Sequence, residues 1–194
     1  MAYNYIINTP KISETTTEQI NVLQEPLQTD PDELKIPIII DNQNYMIVPL
    51  ANYEISGKIV AKNTLFDGAE KKLGPIDLGL IWGKLAEGDY HKYMHFHSSQ
   101  RWLDWRYNKN APYSTEYMQL HISHNHIIPA SKNIFNALDR TLKDKNVKLK
   151  GYLVGVSVNG RGIWSSSLSR EDTGNHSCEV FYVYSVQIGD KIYK

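Results

Sequence analysis

Asn159-Gly160 lies between two apolar-rich runs, Val147–Val158 and Arg161–Leu168, and is the strongest short hairpin signal in the 194-residue chain. An Asn-Gly pair readily adopts the two positive-φ positions of a tight type I′ turn, whose twist matches that of two antiparallel strands. The first run opens Val147-Lys148-Leu149-Lys150-Gly151-Tyr152-Leu153-Val154. Its side chains alternate apolar and polar, and its glycine falls where a small-barrel strand bends. Tyr53-Glu54-Ile55-Ser56-Gly57-Lys58-Ile59-Val60-Ala61 shows the same period of two, the mark of a half-buried strand.

Further strand signals follow. Ile36–Ile40 and Asn44–Val48 flank Asp41-Asn42-Gln43, a second hairpin turn. Ile76–Trp82 reads as a strand with Leu78, Leu80 and Trp82 on one face and Asp77, Gly79 and Ile81 on the other, and Cys178–Ile188 as the last strand. Asp67-Gly68 and Gly74-Pro75 punctuate the loop before Ile76. Helix signals are fewer: Ser114 can cap a short helix through Leu120, and Ser131 one over Lys132–Leu142 with Ile134, Phe135 and Leu138 as its apolar stripe. The expected fold is α+β and predominantly antiparallel β, a small barrel of about five or six strands with two or three short helices inserted. The specific expectation is an oligonucleotide/oligosaccharide-binding (OB) barrel. Thirteen tyrosines and four tryptophans suit such a β-rich domain.

Charge divides the chain. Residues 1–34 hold six acids (Glu14, Glu18, Glu25, Asp30, Asp32, Glu33) against Lys11, a net of −5; the whole chain is neutral, so 35–194 carry +5. Residues 1–34 also contain Pro10, Pro26 and Pro31, and read as a mostly disordered tail or a strap on a single domain spanning 35–194. The basic excess is too mild for a nucleic-acid surface, so no nucleic-acid partner is expected. A single cysteine, Cys178, excludes an intramolecular disulfide and an all-Cys metal cage. At the head of Val180-Phe181-Tyr182-Val183 it reads as a small buried hydrophobe rather than a nucleophile. No apolar run reaches membrane-spanning length.

Polar chemistry gathers in three segments. Six of the seven histidines fall between positions 91 and 126. His95-Phe96-His97 and the His124–His126 spacing each put two imidazoles on one face of a strand, which makes His95, His97 and His124 weak candidate metal ligands. No supporting cysteine spacing or carboxylate cluster accompanies them, and no metal or other cofactor is expected. Arg101-Trp102-Leu103-Asp104-Trp105-Arg106-Tyr107 reads either as a stacking and anion-clamping platform or as core tryptophans with Arg101 paired to Asp104 or Asp172. Trp164 through Gly174 supplies hydroxyls, Arg170 and Asp172, with Ser167 a conceivable nucleophile, but no Gly-x-Ser-x-Gly elbow is present. Asn175-His176-Ser177 matches the glycosylation sequon and carries no weight.

Taken together, several stretches resemble an uncharacterised family of bacterial, mainly proteobacterial, proteins with no known activity. The stretches are Pro49-Leu50-Ala51 with Tyr53–Val60, Pro75–Gly83, Ser99–Trp102 with Trp105, His121 and Ser123 with Asn125–Ala130, Lys150–Val154, and Trp164–Glu179. The resemblance implies an Arg at 101, an aromatic at 105, histidines at 121 and 126, and Arg170, Asp172, Thr173 and Gly174. It calls for none at 95, 97 or 124. It also implies an envelope or periplasmic setting, with an N-terminal anchor or signal in many members; a cytoplasmic chain stays open.

The leading expectation is therefore a non-catalytic binding domain for a small anionic or polar ligand or a partner protein. Its groove would hold Arg101, Trp105, Asn125, His126, Arg170, Asp172 and Thr173. The alternatives are a hydrolase with His121 or His126 as base, Asp172 as orienter and an Arg clamp, or a buried polar network with a purely structural role.

Overall fold

The computed structural model describes residues 8–33, 35–40, 43–65, 70–172 and 177–194. Its strands are β1 (Glu14–Thr15), β2 (Leu27–Thr29), β3 (Ile36–Ile40), β4 (Gln43–Thr64), β5 (Ile76–Ile81), β6 (Met94–Ser99), β7 (Trp102–Tyr107), β8 (Ile122–Pro129), β9 (Asn146–Val158), β10 (Arg161–Ser165), β11 (Glu179–Ile188) and β12 (Lys191–Tyr193). The helices are α1 (Glu70–Leu73), α2 (Lys84–Glu87), α3 (Thr115–Leu120) and α4 (Lys132–Arg140). The protein is mostly β, built on one large, antiparallel-dominated sheet, with β6 and β7 forming a separate hairpin.

The pairings are specific. β4 pairs with β5 and β9, β5 with β8, and β9 with β11, all antiparallel, whereas β8 and β11 run parallel. This sequence of pairings starts and ends on β4. The two strands expected at 44–48 and 53–61 are one continuous strand, β4, bent by register shifts at Pro49/Ala51 and Ile59/Ala61. A proline lacks the N–H a ladder needs, and a bulge is where it is tolerated. The Asn159-Gly160 turn has φ of 51° and 77°, as its residue types dictate, and joins β9 to β10. β10 ends at Ser165 rather than Leu168, after a shift between Gly162 and Trp164. β3 pairs with β4 around the other expected turn, although Asp41 and Asn42 lie outside the described residues.

Gly151 has a sharper role than a bend. A Cβ there would fall 1.8 Å from the backbone oxygen of Tyr182, so only glycine lets β9 and β11 meet at this point.

The main core is enclosed by the paired strands and covered by α4. It includes Ile55, Ile59, Leu78, Leu80, Leu149, Leu153, Phe181 and Val183, together with Ile134, Phe135 and Leu138 of the helix. Ser131 caps α4 by accepting from the Ile134 amide, and the Lys62 ammonium donates to the Leu138, Asp139 and Thr141 carbonyls at its other end. These are the groups a helix C-terminus leaves unbonded.

Residues 8–33 run over the sheet as a strap. β1 pairs with β12 and β2 with β4; the Gly83 amide donates to Val22 O (2.7 Å), and Lys148 bonds Glu18 (2.8 Å). Among the described residues, no helix is long and apolar enough to cross a membrane.

Candidate functional site

The β5–β8 register sets Asp77 opposite His126 and Gly79 opposite His124. These side chains lie on the face away from the main core, which takes Ile76, Leu78, Leu80 and Ile127. The hairpin β6–β7 covers part of that face. Its Leu103 methyl would lie 2.9 Å from a Cβ at position 79, so Gly79 provides the depth that lets the hairpin settle.

Arg101 sits at the tip of that hairpin with φ of 63°, beside Gln100 at 49°. A bulky residue in the left-handed region is strained by about 1 kcal/mol, and here the guanidinium anchors the tip. It donates to Gly74 O (2.9 Å) and to Asp77 Oδ1 (3.1 Å), and lies over the Trp164 ring at 4.8 Å. Asp77 is fully buried and also faces His126 Nδ1 at 2.8 Å. A carboxylate only accepts, which places a His126 proton on Nδ1. Trp164 tilts against His126, with ring centroids 5.1 Å apart. Arg101 is therefore paired with Asp77.

His124 continues the line, edge-on to His126 at 4.7 Å. Its Nδ1 is 3.4 Å from Cys178 Sγ. The parallel β8–β11 pairing matches Asn125 with Glu179 and so brings Cys178, one residue earlier, alongside His124. Burial, followed by the neighbouring His126, pushes His124 down to about 4. Burial and then the Glu179 charge push the Cys178 thiol up to about 11. At neutral pH the pair is thiol and imidazole, not the thiolate–imidazolium of an activated cysteine nucleophile.

Beyond Cys178 the polar tract turns into the protein. Glu179 is 2% exposed and ion-paired to Arg170, which also donates to Tyr53 Oη (2.8 Å) and lies over the Tyr53 and Trp82 rings. Burial pushes Glu179 up to about 7 against the pull of Arg170. A cavity of about 270 Å³ opens here, walled by Trp102 and Trp105 on one side and by His124, Cys178, Arg170 and Asp172 on the other. Trp102 is 50% exposed and so is not the core anchor that its size implies, whereas Trp105 is half-buried and packs against the cluster of Ile81, Tyr90 and Met94. A second cavity, about 540 Å³, lies on the far side of His126 against Trp164 and Arg101.

The structure brings together Arg101 with His126, His126 with His124, Trp105 with Arg170 and Asp172, and Asp172 with Ser167. His121 follows α3, stacks on Tyr117 at 3.8 Å, and faces Tyr117 O and Glu25 Oε1; Glu25 also accepts from the Trp82 indole. Asp172 accepts from Ser167 (2.5 Å), while the carboxylates that face His126 and His121 are those of Asp77 and Glu25, not the Asp172 that the hydrolase reading named as orienter. Asn125 is fully buried, donating to Ser123 Oγ and Leu78 O. His95 and His97 project from the exposed face of β6. The candidate ligands that do converge are His124, His126 and Cys178, whose donor atoms lie within 4.8 Å of one another. Thr173 and the sequon residues Asn175 and His176 lie outside the described residues.

Three site residues escaped sequence reasoning: Asp77, Cys178 and Glu179. Asp77 and Glu179 each carried a signal, a single acid within an otherwise apolar strand, which demands a buried partner. Cys178 carried none, because its meeting with His124 depends on a strand pairing between distant segments. No family model, curated protein or solved structure matches this chain.

Proposed function

We propose that β4, β5, β8, β9 and β11 form a small OB-type barrel that serves as a non-catalytic binding domain, with a hydroxyl-rich polar ligand such as a sugar seated between Trp102 and Arg170. The observation that carries this reading is the 270 Å³ cavity, which sets aromatic faces against hydrogen-bonding groups with no activated nucleophile beside them. The barrel reading is supported by the pairing order β4-β5-β8-β11-β9-β4, the parallel β8–β11 pair, and a helix, α4, between β8 and β9. OB barrels take oligonucleotides and oligosaccharides on the face of their second and third strands, here β5 and β8.

Charge narrows the ligand. Glu179 offsets Arg170, and Asp172 adds a negative group at the same cavity, so a phosphate-rich ligand is disfavoured. A neutral sugar suits a tryptophan face with carboxylate and guanidinium at its edge. In keeping with the family resemblance, the proposed setting is the bacterial envelope.

The test is a tryptophan-fluorescence titration with neutral oligosaccharides and with anionic sugars of matched size. Saturable quenching by the neutral set, weakened at least about tenfold in Trp102→Ala and Trp105→Ala variants that melt like wild type, is the expected result. Preference for the anionic set, or affinity indifferent to both substitutions, overturns it.

A further inference from the structure

We propose that His124, His126 and Cys178 bind a borderline-soft transition-metal ion such as Zn²⁺, with a fourth coordination position opening toward the cavity beside Trp105. Two strands build this donor set: β8 contributes His124 and His126 two residues apart on one face, and the start of β11 contributes Cys178. The three donor atoms lie within 4.8 Å of one another.

The spacing already approaches that of a coordination polyhedron. A tetrahedral zinc with Zn–N of about 2.0–2.1 Å and Zn–S of about 2.3 Å holds its nitrogen and sulfur about 3.5 Å apart. The observed His124 Nδ1–Cys178 Sγ separation is 3.4 Å. The widest pair, up to 4.8 Å apart, needs to close by about 1.3–1.5 Å to reach the same polyhedron, within reach of a side-chain rotation.

Two further observations point to a ligand. His124 is only 8% exposed, yet the partner of its Nδ1 is a thiol, a weak hydrogen-bonding group. A buried imidazole left so poorly satisfied is costly unless something else occupies the space beside it. Second, His126 is oriented in the manner of a metal ligand. Asp77 holds Nδ1 and thereby fixes the tautomer that offers Nε2, the carboxylate–histidine arrangement that commonly supports a bound metal. Asp77 is held in turn by Arg101, and His126 is packed by Trp164.

Two imidazoles and a sulfur select zinc, cobalt or copper over magnesium or calcium, which take oxygen donors. Coordination converts the Cys178 thiol to thiolate and releases its proton to solvent, leaving one net positive charge on the zinc–thiolate unit. Three protein ligands with an open position match the pattern of a reactive or exchangeable zinc centre rather than a closed structural one. This site needs no organic ligand and stands or falls independently of the sugar reading.

The experiment is a Co²⁺ titration of the full chain under reducing conditions, followed by displacement with Zn²⁺. The expected result is one ion per chain, a near-ultraviolet thiolate-to-cobalt band and the intense visible bands of a four-coordinate ion, all abolished by zinc. Cys178→Ser should remove the thiolate band, His124→Asn should weaken zinc binding at least about 100-fold, and Asp77→Asn about 10–100-fold. His95→Asn, on the exposed hairpin, should change nothing. Absence of stoichiometric uptake by wild type, or a thiolate band that survives Cys178→Ser, overturns the proposal. The wild-type spectrum decides the matter even where a variant fails to fold, and binding is scored without any sugar present.

Discussion

Glu179 and Arg170 show how costly a single side chain can be when its partner is removed. Both are largely withdrawn from water, and Glu179 is almost completely so. Arg170→Met leaves a buried carboxyl group unpaired and should lower the unfolding free energy by about 3–5 kcal/mol. Arg170→Met/Glu179→Leu should recover most of that loss, because a matched apolar pair removes the desolvation penalty. Urea denaturation of the single and double variants checks both outcomes. Asp77 is a second case, since it holds Arg101 and His126 at once. Asp77→Leu should release the β6–β7 tip, read as faster hydrogen exchange at Gln100 and Arg101 and as loss of the Trp164 stacking signal. Residue types were visible in the sequence, and Arg101, Trp105, His126 and Arg170 were visible as polar candidates. Their partners were not, because ion pairing is decided by strand register. His124 was a weak candidate ligand, because no cysteine spacing supported it and the family resemblance calls for no histidine there; strand pairing sets Cys178 beside it.

At the scale of the element, glycine and lysine positions carry more weight than their composition implies. Gly151→Ala would drive a methyl group into the Tyr182 carbonyl and should destabilise by roughly 3 kcal/mol or more, measured by thermal or urea unfolding. The strap supplies a pH-dependent element. The Lys148 hydrogen bond and charge hold Glu18 below its ordinary carboxylate range, while for Glu54 burial works the other way and is outweighed by hydrogen bonds from Lys150 and Lys148. Both folded values are depressed, so the stabilisation is complete above the ordinary carboxylate pKa and disappears as pH falls through the lower folded values. Limited proteolysis with an acid-tolerant protease should therefore find the strap protected at pH about 5–6 and cleaved more readily below pH about 4. Lys148→Met should remove that dependence. Alternation made β5, β9 and the second half of β4 legible, an apolar run marked β11, and capping serines made α3 and α4 legible. The continuity of β4 was not, because Pro49 reads locally as a break and only its partner β9 bridges the bulge.

For the whole molecule, the legible part was class: a predominantly antiparallel β protein with short helices inserted. Turn chemistry and period-two runs carry that much, since each is a local preference. The pairing order is a global property, and no local run of residues encodes that β8 and β11 lie side by side in parallel. The pairing β8–β11 joins positions 125 and 179, and the whole of α4, β9 and β10 intervenes. Contacts so far apart in sequence form late, because the chain between them must first lose its freedom. The approach of Cys178 to His124 is then a marker for the docking of β11 beside β8. Before β11 docks, the thiol is free in solvent; afterwards it is sheltered. Pulsed alkylation during refolding should label Cys178 faster before that step than after it, so one sulfur atom times the arrival of β11.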